Sequence, residues 1–279
     1  MLRLMLNKHP ELCVPFESGF IVDFYRKRAE YGDLAERANA ERLLRDIAAH
    51  PLVRKGQIVS NIEAILDQRA STYPALVNAI FTVYAQSHNK PRWGDKTPSY
   101  VTDLDVLRAI FPSCKIIHLV RDGRDVALSN RNVGWGIHNL PRVAADWRWK
   151  TVIAHKIGSV LGDDYLLVRY ENLVLETQPT LRAISRFLDV PYTEAMLSYP
   201  SSGTSDMPAE SLTWHRNSIR APDVSLVDQW KHAMQPADRI IFEQWAGDAL
   251  ATFGYDIENH RSTVRSRLRN LYFSTVERW

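Results

Sequence analysis

Apolar residues recur every three to four positions over most of this chain, and a few short unbroken apolar runs interrupt that rhythm, so helices alternating with strands are expected. Leu2, Leu4, Met5 and Leu6 begin inside a helical pattern that His9-Pro10 ends, and no Ser, Thr or Asp stands ahead of them as a cap. Leu12 to Phe16 predicts a short strand leading to Glu17 and Ser18. From Ile21 to His88 the spacing is helical, as in Ile58, Ile62, Ile65, Leu66 and in Leu76, Val77, Ile80, Phe81, Tyr84, with Pro74 near a helix start. Pro91 to Pro98 predicts a short strand running into a loop, followed by a helix over Val101 to Phe111.

Lys115 to Val120 is an uninterrupted β-prone run bounded by Ser113 and by Asp122-Gly123, the pattern of a strand buried on both faces. A second such strand, Tyr165 to Tyr170, precedes a helix over Thr180 to Leu188, and Pro236 to Phe253 predicts an amphipathic helix closed by Gly254. Strands alternating with long helices imply an α/β fold whose parallel sheet is covered on both faces. No repeat or linker divides the sequence, so a single domain over 1–279 is expected, with one long irregular loop from Tyr199 to Val224.

Composition narrows this picture. With 45% hydrophobic and 24% charged residues in 279, the chain can bury a full core. No apolar run approaches the roughly 18 residues that span a bilayer, and Met1 leads into a segment without a cleavage-site pattern, so the chain reads as a soluble, cytoplasmic protein. Cys13 and Cys114 have no ligand spacing and the nine histidines are scattered, so no metal is expected. A net charge of +3 suits small anionic ligands better than nucleic acid. The exception is the basic tail or helix of residues 259–279, where Arg261, Arg265, Arg267 and Arg269 surround Val264, Leu268 and Leu271. It reads first as a solvated helix and second as a membrane-surface contact.

Candidate chemistry begins at Arg121-Asp122-Gly123-Arg124-Asp125-Val126-Ala127-Leu128-Ser129. Arg121 closes the best strand, Asp122 can cap the following helix, and Ser129 lies about two turns along it. Ligands of open α/β sheets bind at that carboxyl edge, where a guanidinium can grip a phosphate through two parallel hydrogen bonds. A plain strand-turn-helix corner with a surface ion pair is the other reading of these residues.

The run from Ile116 to Ser129 resembles the 3′-phosphate-binding segment of sulfotransferases that use 3′-phosphoadenosine-5′-phosphosulfate (PAPS), with Arg and Ser at that family's separation. The likeness implies that Arg121 and Ser129 hold the 3′-phosphate. Gly94-Asp95-Lys96-Thr97-Pro98 is similar to the lysine segment of the bacterial and tyrosylprotein branches, where a lysine neutralises charge on the leaving phosphate oxygen. Val168-Arg169-Tyr170-Glu171-Asn172-Leu173 with Phe187-Leu188-Asp189-Val190-Pro191 resembles a strand end and a helix end of the family, which implies that Tyr170 lies at the adenosine; a half-buried tyrosine at a strand terminus is its alternative reading. Gln229-Trp230-Lys231 and Gln235-Pro236-Ala237-Asp238 resemble a late family segment, with Trp230 as packing and Arg216, Arg220 and Lys231 as further phosphate candidates. Val14-Pro15-Phe16-Glu17-Ser18 resembles the strand that carries the general base in the tyrosylprotein branch, so Glu17 is either that base or a solvated bystander.

The resemblance implies a P-loop-kinase-like three-layer sandwich, with PAPS as donor, its bisphosphate as product, and a carbohydrate, lipid or peptide-tyrosine hydroxyl as acceptor. Relatives carry a first strand and a Ser-Gly-Thr loop just before the helix that Leu2 to Leu6 resembles; that strand and phosphate loop are absent here. The expectation is therefore an N-terminally incomplete sequence, with a non-catalytic nucleotide- or partner-binding remnant as the alternative to an active enzyme. Ser201 to Ser205 has a similar composition but no preceding strand.

Overall fold

The computed structural model describes residues 1–131, 139–202 and 219–258. In chain order its elements begin with α1 (Leu2–Asn7), β1 (Leu12–Cys13), α2 (Ile21–Lys27), α3 (Arg37–Ala49), α4 (Pro51–Lys55), α5 (Ile62–Leu66) and α6 (Tyr73–Ser87). There follow β2 (Arg92–Trp93), α7 (Leu104–Ile110), β3 (Ile116–Val120), α8 (Gly123–Asn130) and α9 (Leu140–Gly158). The chain continues through β4 (Tyr165–Arg169), α10 (Tyr170–Leu175), α11 (Thr177–Phe187), α12 (Trp230–Ala233) and α13 (Pro236–Thr252). The described residues form two compact units, one of 1–115 with 181–202 and 219–221, the other of 116–131, 139–180 and 222–258. Residues 259–279 of the expected basic tail, residues 203–218 of the expected Tyr199–Val224 loop with Arg216, and residues 132–138 lie outside the described residues.

In the first unit β1 pairs in parallel with β2, Leu12 against Arg92 and Cys13 against Trp93. The core beside them is helical. Tyr73, Leu76, Val77, Ile80 and Phe81 form one buried face of α6 and belong to the same core as Leu43, Leu44 and Ile47 of α3, with α5 packed against both helices. Thr72 caps α6 by accepting from the Ala75 amide, and Pro74 occupies its first turn, where a missing N–H costs nothing. The strand expected over Leu12 to Phe16 is only two residues long. Its continuation is taken over by Asn7, whose side chain accepts from the Val14 N–H at 2.6 Å and donates to the Val14 carbonyl at 2.8 Å. Those groups therefore do not join a ladder. The helix expected from Val101 starts at Leu104, because a 3₁₀ turn over Pro98–Thr102 precedes it.

In the second unit β3 and β4 pair in parallel over five residues, Ile116 with Tyr165 through Val120 with Arg169. Asp122 caps α8 by accepting from the Arg124 amide at 2.8 Å, as its place in the sequence predicts. α9 packs along α13, burying Leu140, Ala144 and Trp147 with Ile241, Phe242, Ala246 and Leu250. Gly254, at φ 72°, closes α13, and the Tyr255 amide reaches back to the Leu250 carbonyl. β3 is not buried on both faces as its sequence suggests: Leu119 is 38% exposed, since only β4 flanks the strand among the described residues. Tyr170, read as the last strand residue, instead opens α10. No helix among the described residues is long and apolar enough to cross a membrane.

One buried charge cluster ties α8 to α13. Arg124 is fully buried, pairs with Asp122 at 2.8 Å and Glu243 at 2.7 Å, and its guanidinium lies 3.4 Å from the centre of the Trp230 ring. Removing one member of such a pair leaves an uncompensated buried charge and costs about 3–5 kcal/mol. Arg124→Ala should therefore lower the unfolding free energy by about that amount in urea titrations. A loss below about 1 kcal/mol would show that helix packing alone holds α8 in place.

Candidate functional site

The parallel register of β1 and β2 sends the chain out of both strands at the same edge, so residues shortly after each strand become neighbours. Glu17 and Lys96, 79 positions apart, meet there as an ion pair, Nζ to Oε1 at 2.5 Å. Their side chains keep 22% and 39% of their exposure, so both remain accessible to a ligand. An ion pair this exposed adds little to stability. Phe16, next to Glu17, lies under three cations, with Lys96 Nζ at 5.5 Å, Lys55 Nζ at 5.8 Å and the Arg3 guanidinium at 5.9 Å from the ring centre. The pair thus stands in an electropositive setting built on an aromatic face.

Behind the pair, Ser18 is fully buried, and its hydroxyl donates to Asp95 Oδ2 at 2.9 Å. Thr97 Oγ1 donates to the same oxygen at 3.0 Å and accepts from the amides of Ser18 at 3.1 Å and Gly19 at 3.3 Å. The Tyr100 hydroxyl accepts from the Ile21 amide at 2.8 Å. Burial pushes the Asp95 carboxyl up to about 6, against the two hydroxyl donors and the Lys96 cation, which favour its charged form.

In the second unit Arg121 leaves the end of β3 with its guanidinium 4.8 Å from the centre of the Tyr170 ring. Its Nη2 donates to the Leu226 carbonyl at 2.8 Å and lies 3.8 Å from Asp125 Oδ2, while its buried Nε has no hydrogen-bond partner among the described residues. Asp125 accepts the Trp230 amide on Oδ1 at 2.8 Å, and burial pushes its carboxyl up to about 6. Burial raises the Tyr170 phenol above its ordinary value, with Arg121 pulling the other way. The corner is therefore a guanidinium over an aromatic ring, with its Nε donor unused among the described residues.

Comparison with known proteins adds to this geometry. The sequence profile described as the Sulfotransferase family matches residues 1–194. The chain belongs to this family. It is 24% identical over 236 residues to protein-tyrosine sulfotransferase A of Caenorhabditis elegans, covering 75% of this chain and 62% of that protein. It is 28% identical over 178 residues to the Drosophila melanogaster protein-tyrosine sulfotransferase, covering 54% of this chain and 36% of that one. The chain thus spans less than two thirds of the length of these relatives. Among solved structures, the sulfotransferase domain of the Synechococcus PCC 7002 olefin synthase superposes with a TM-score of 0.62 at 25% identity, over 92% of this chain and 90% of that domain. The sulfotransferase domain of the curacin biosynthetic pathway gives 0.55 at 18% identity, over 98% of this chain and 92% of that domain. The P-loop-kinase-like α/β fold implied by the sequence is the fold of these domains.

Against this sulfotransferase frame the sequence-predicted residues fall into two groups. Glu17 meets Lys96, and Arg121 meets Tyr170. Ser129 is exposed near the end of α8, and no hydrogen bond among the described residues joins it to Arg121. Lys231 is engaged by Asp228 at 2.6 Å, Arg220 is exposed, and Trp230 is packing, buried under Arg124. Asp95 and Asp125 carried no assigned role in the sequence. The i,i+4 spacing of Arg121 and Asp125 was the available signal for one, whereas nothing local marks Oδ1 of Asp95 as enclosed.

Asp125 gives a pH test. Its folded-state proton affinity is raised from 3.8 to about 6, so the folded chain binds more protons than the unfolded chain between those values. Its contribution to stability is most favourable below about 4 and declines as pH rises through about 6, by at most roughly 3 kcal/mol. Asp125→Asn should remove that decline, so that its unfolding free energy gains on the parent protein between pH 4.5 and 7.5 in urea titrations. An identical pH dependence in both proteins would show that Asp125 is not the titrating group.

Proposed function

We propose that this chain is a sulfotransferase that moves the sulfuryl group of PAPS to an acceptor hydroxyl. The observation that carries the reading is the Glu17–Lys96 pair, a carboxylate and an ammonium drawn together from distant sequence at one strand edge and left partly open to solvent. Family membership supports the reaction class. The donor's nucleotide suits the Arg121 corner, because the unused Nε of Arg121 and the Tyr170 ring are what a phosphate beside an adenosine requires.

In this reading PAPS, when bound, supplies the sulfuryl group and an anionic leaving phosphate. Glu17 takes the proton of the acceptor hydroxyl on a carboxylate oxygen as the acceptor oxygen's own bond to sulfur forms. Lys96 sets its positive charge against the phosphate oxygen released as the sulfur–oxygen bond of the donor breaks. Arg121, Ser129 and Tyr170 hold the nucleotide. Charge placement and orientation, rather than a covalent intermediate on the protein, do the catalysis. A tyrosyl hydroxyl is the first acceptor to test, since the named relatives act on protein tyrosine.

Calorimetry of Arg121→Ala tests the donor. It should weaken binding of adenosine 3′,5′-bisphosphate by about 10- to 100-fold while changing adenosine 5′-monophosphate much less, as a charge-assisted contact to the 3′-phosphate alone predicts. Equal weakening of both ligands would show that Arg121 does not read that phosphate. For the base, Glu17→Gln should lower turnover by about 10²- to 10⁴-fold with donor affinity nearly unchanged. Unchanged turnover would remove Glu17 from the mechanism, and donor binding with no turnover by the parent protein would favour a nucleotide-binding remnant.

A further inference from the structure

The hydrogen bonds behind the Glu17–Lys96 pair have only one consistent direction. Thr97 Oγ1 already accepts two amides, so its single proton goes to Asp95 Oδ2. The Tyr100 hydroxyl accepts the Ile21 amide and has its proton free for Ser18 Oγ, 3.3 Å away. Ser18 then passes its own proton to Asp95 Oδ2. Each hydroxyl has one proton to give, and each chain of donation ends on the same carboxylate oxygen. The other oxygen, Oδ1, is buried with no hydrogen-bond partner among the described residues. These bonds grip the residue after Glu17 and the residues on either side of Lys96. The Tyr73 hydroxyl extends the grip by donating to the Ile21 carbonyl at 2.7 Å.

We infer that Asp95 is a positioning residue: its buried carboxylate is the shared acceptor that fixes the loops carrying Glu17 and Lys96, and so sets the geometry of that pair. The catalytic consequence rests on the proposed sulfuryl transfer; the structural one does not. A carboxylate accepting two hydroxyls makes charge-assisted bonds stronger than neutral ones. Burial of the carboxylate away from water is costly, and it raises the proton affinity to about 6 against the hydrogen bonds and the Lys96 charge that favour the ionised form. Lys96 beside it and Tyr100 across from it are the titratable groups facing Asp95, with Glu17 held on Lys96 and Tyr73 beyond Tyr100. Acidification through about 6 therefore neutralises the acceptor and loosens the grip.

Amide hydrogen exchange of the full chain tests this without needing activity. In Asp95→Ala the amides of Ser18, Gly19 and Ile21 should lose protection at least about tenfold, while those of α6 and of β3 with β4 stay unchanged. Asp95→Asn, a neutral acceptor like the protonated carboxyl, should recover only part of that protection and should lose its dependence on pH. In the unaltered protein, protection of the same three amides should fall at least about threefold between pH 7.5 and 5, a measurement that needs no variant to fold. Where sulfuryl transfer is measured, Asp95→Ala should lower kcat at least about tenfold with donor KM within about twofold. Unchanged amides in Asp95→Ala, unchanged amides across the titration, or a uniform loss of protection throughout the first unit would each overturn the positioning role. Absent transfer by the unaltered protein, with the amides behaving as described, would overturn the proposed function and leave Asp95 in its role.

Discussion

A ladder only two residues long, Leu12–Cys13 against Arg92–Trp93, joins the segment bearing Glu17 to the segment bearing Lys96. So short a pairing is marginal by itself. Side chains lengthen it. Asn7 binds both backbone groups of Val14, and Lys90 donates to the carbonyls of Asn7, His9 and Leu12, which ends α1 against the start of β1. His9 locks the same corner: its Nδ1 accepts the Glu11 amide, so its Nε2 carries the proton and donates to the Pro191 carbonyl at 2.8 Å. On the far side of the ladder the Ser18, Asp95, Thr97 and Tyr100 hydrogen bonds do the same for the loops. The candidate reaction pair is therefore held by polar side chains at both ends of a very short strand pair, with the helical core of α3 and α6 as support.

The second unit solves a comparable problem with charge. Arg121 and Arg124 stand three positions apart on one helix start, yet their surroundings give them different work. Arg124 is fully enclosed by Asp122, Glu243 and Trp230, so it is bound to the fold and has no capacity for a ligand. Arg121 faces Asp125 at 3.8 Å, the Tyr170 ring and one carbonyl, and its Nε has no hydrogen-bond partner among the described residues. Glu171 fixes the frame around both, accepting the Asp122 amide at 2.9 Å and the Tyr255 hydroxyl at 2.9 Å. Burial and pairing thus set the two arginines of one motif apart.

The sequence by itself determined the class of fold, because alternation of helical periodicity with unbroken β-prone runs depends only on local spacing. It also determined the helix ends marked by Asp122 for α8, Pro74 for α6 and Gly254 for α13, since each is a property of a few neighbouring residues. The likeness of the segments around Lys96 and Arg121 to a known family rested on those same short stretches. Tertiary structure decided what long-range pairing decides. It brought Glu17 to Lys96 across 79 positions, cut β1 to two residues because Asn7 captures Val14, left Leu119 of β3 exposed, and moved Tyr170 from a strand end to the first turn of α10. It also enclosed Oδ1 of the half-buried Asp95 and left Ser129 exposed, which no periodicity indicates. The physical reason is the same in each case. Hydrogen-bonding capacity and exposure belong to pairs of groups, and the partner of a residue is fixed only when distant parts of the chain meet.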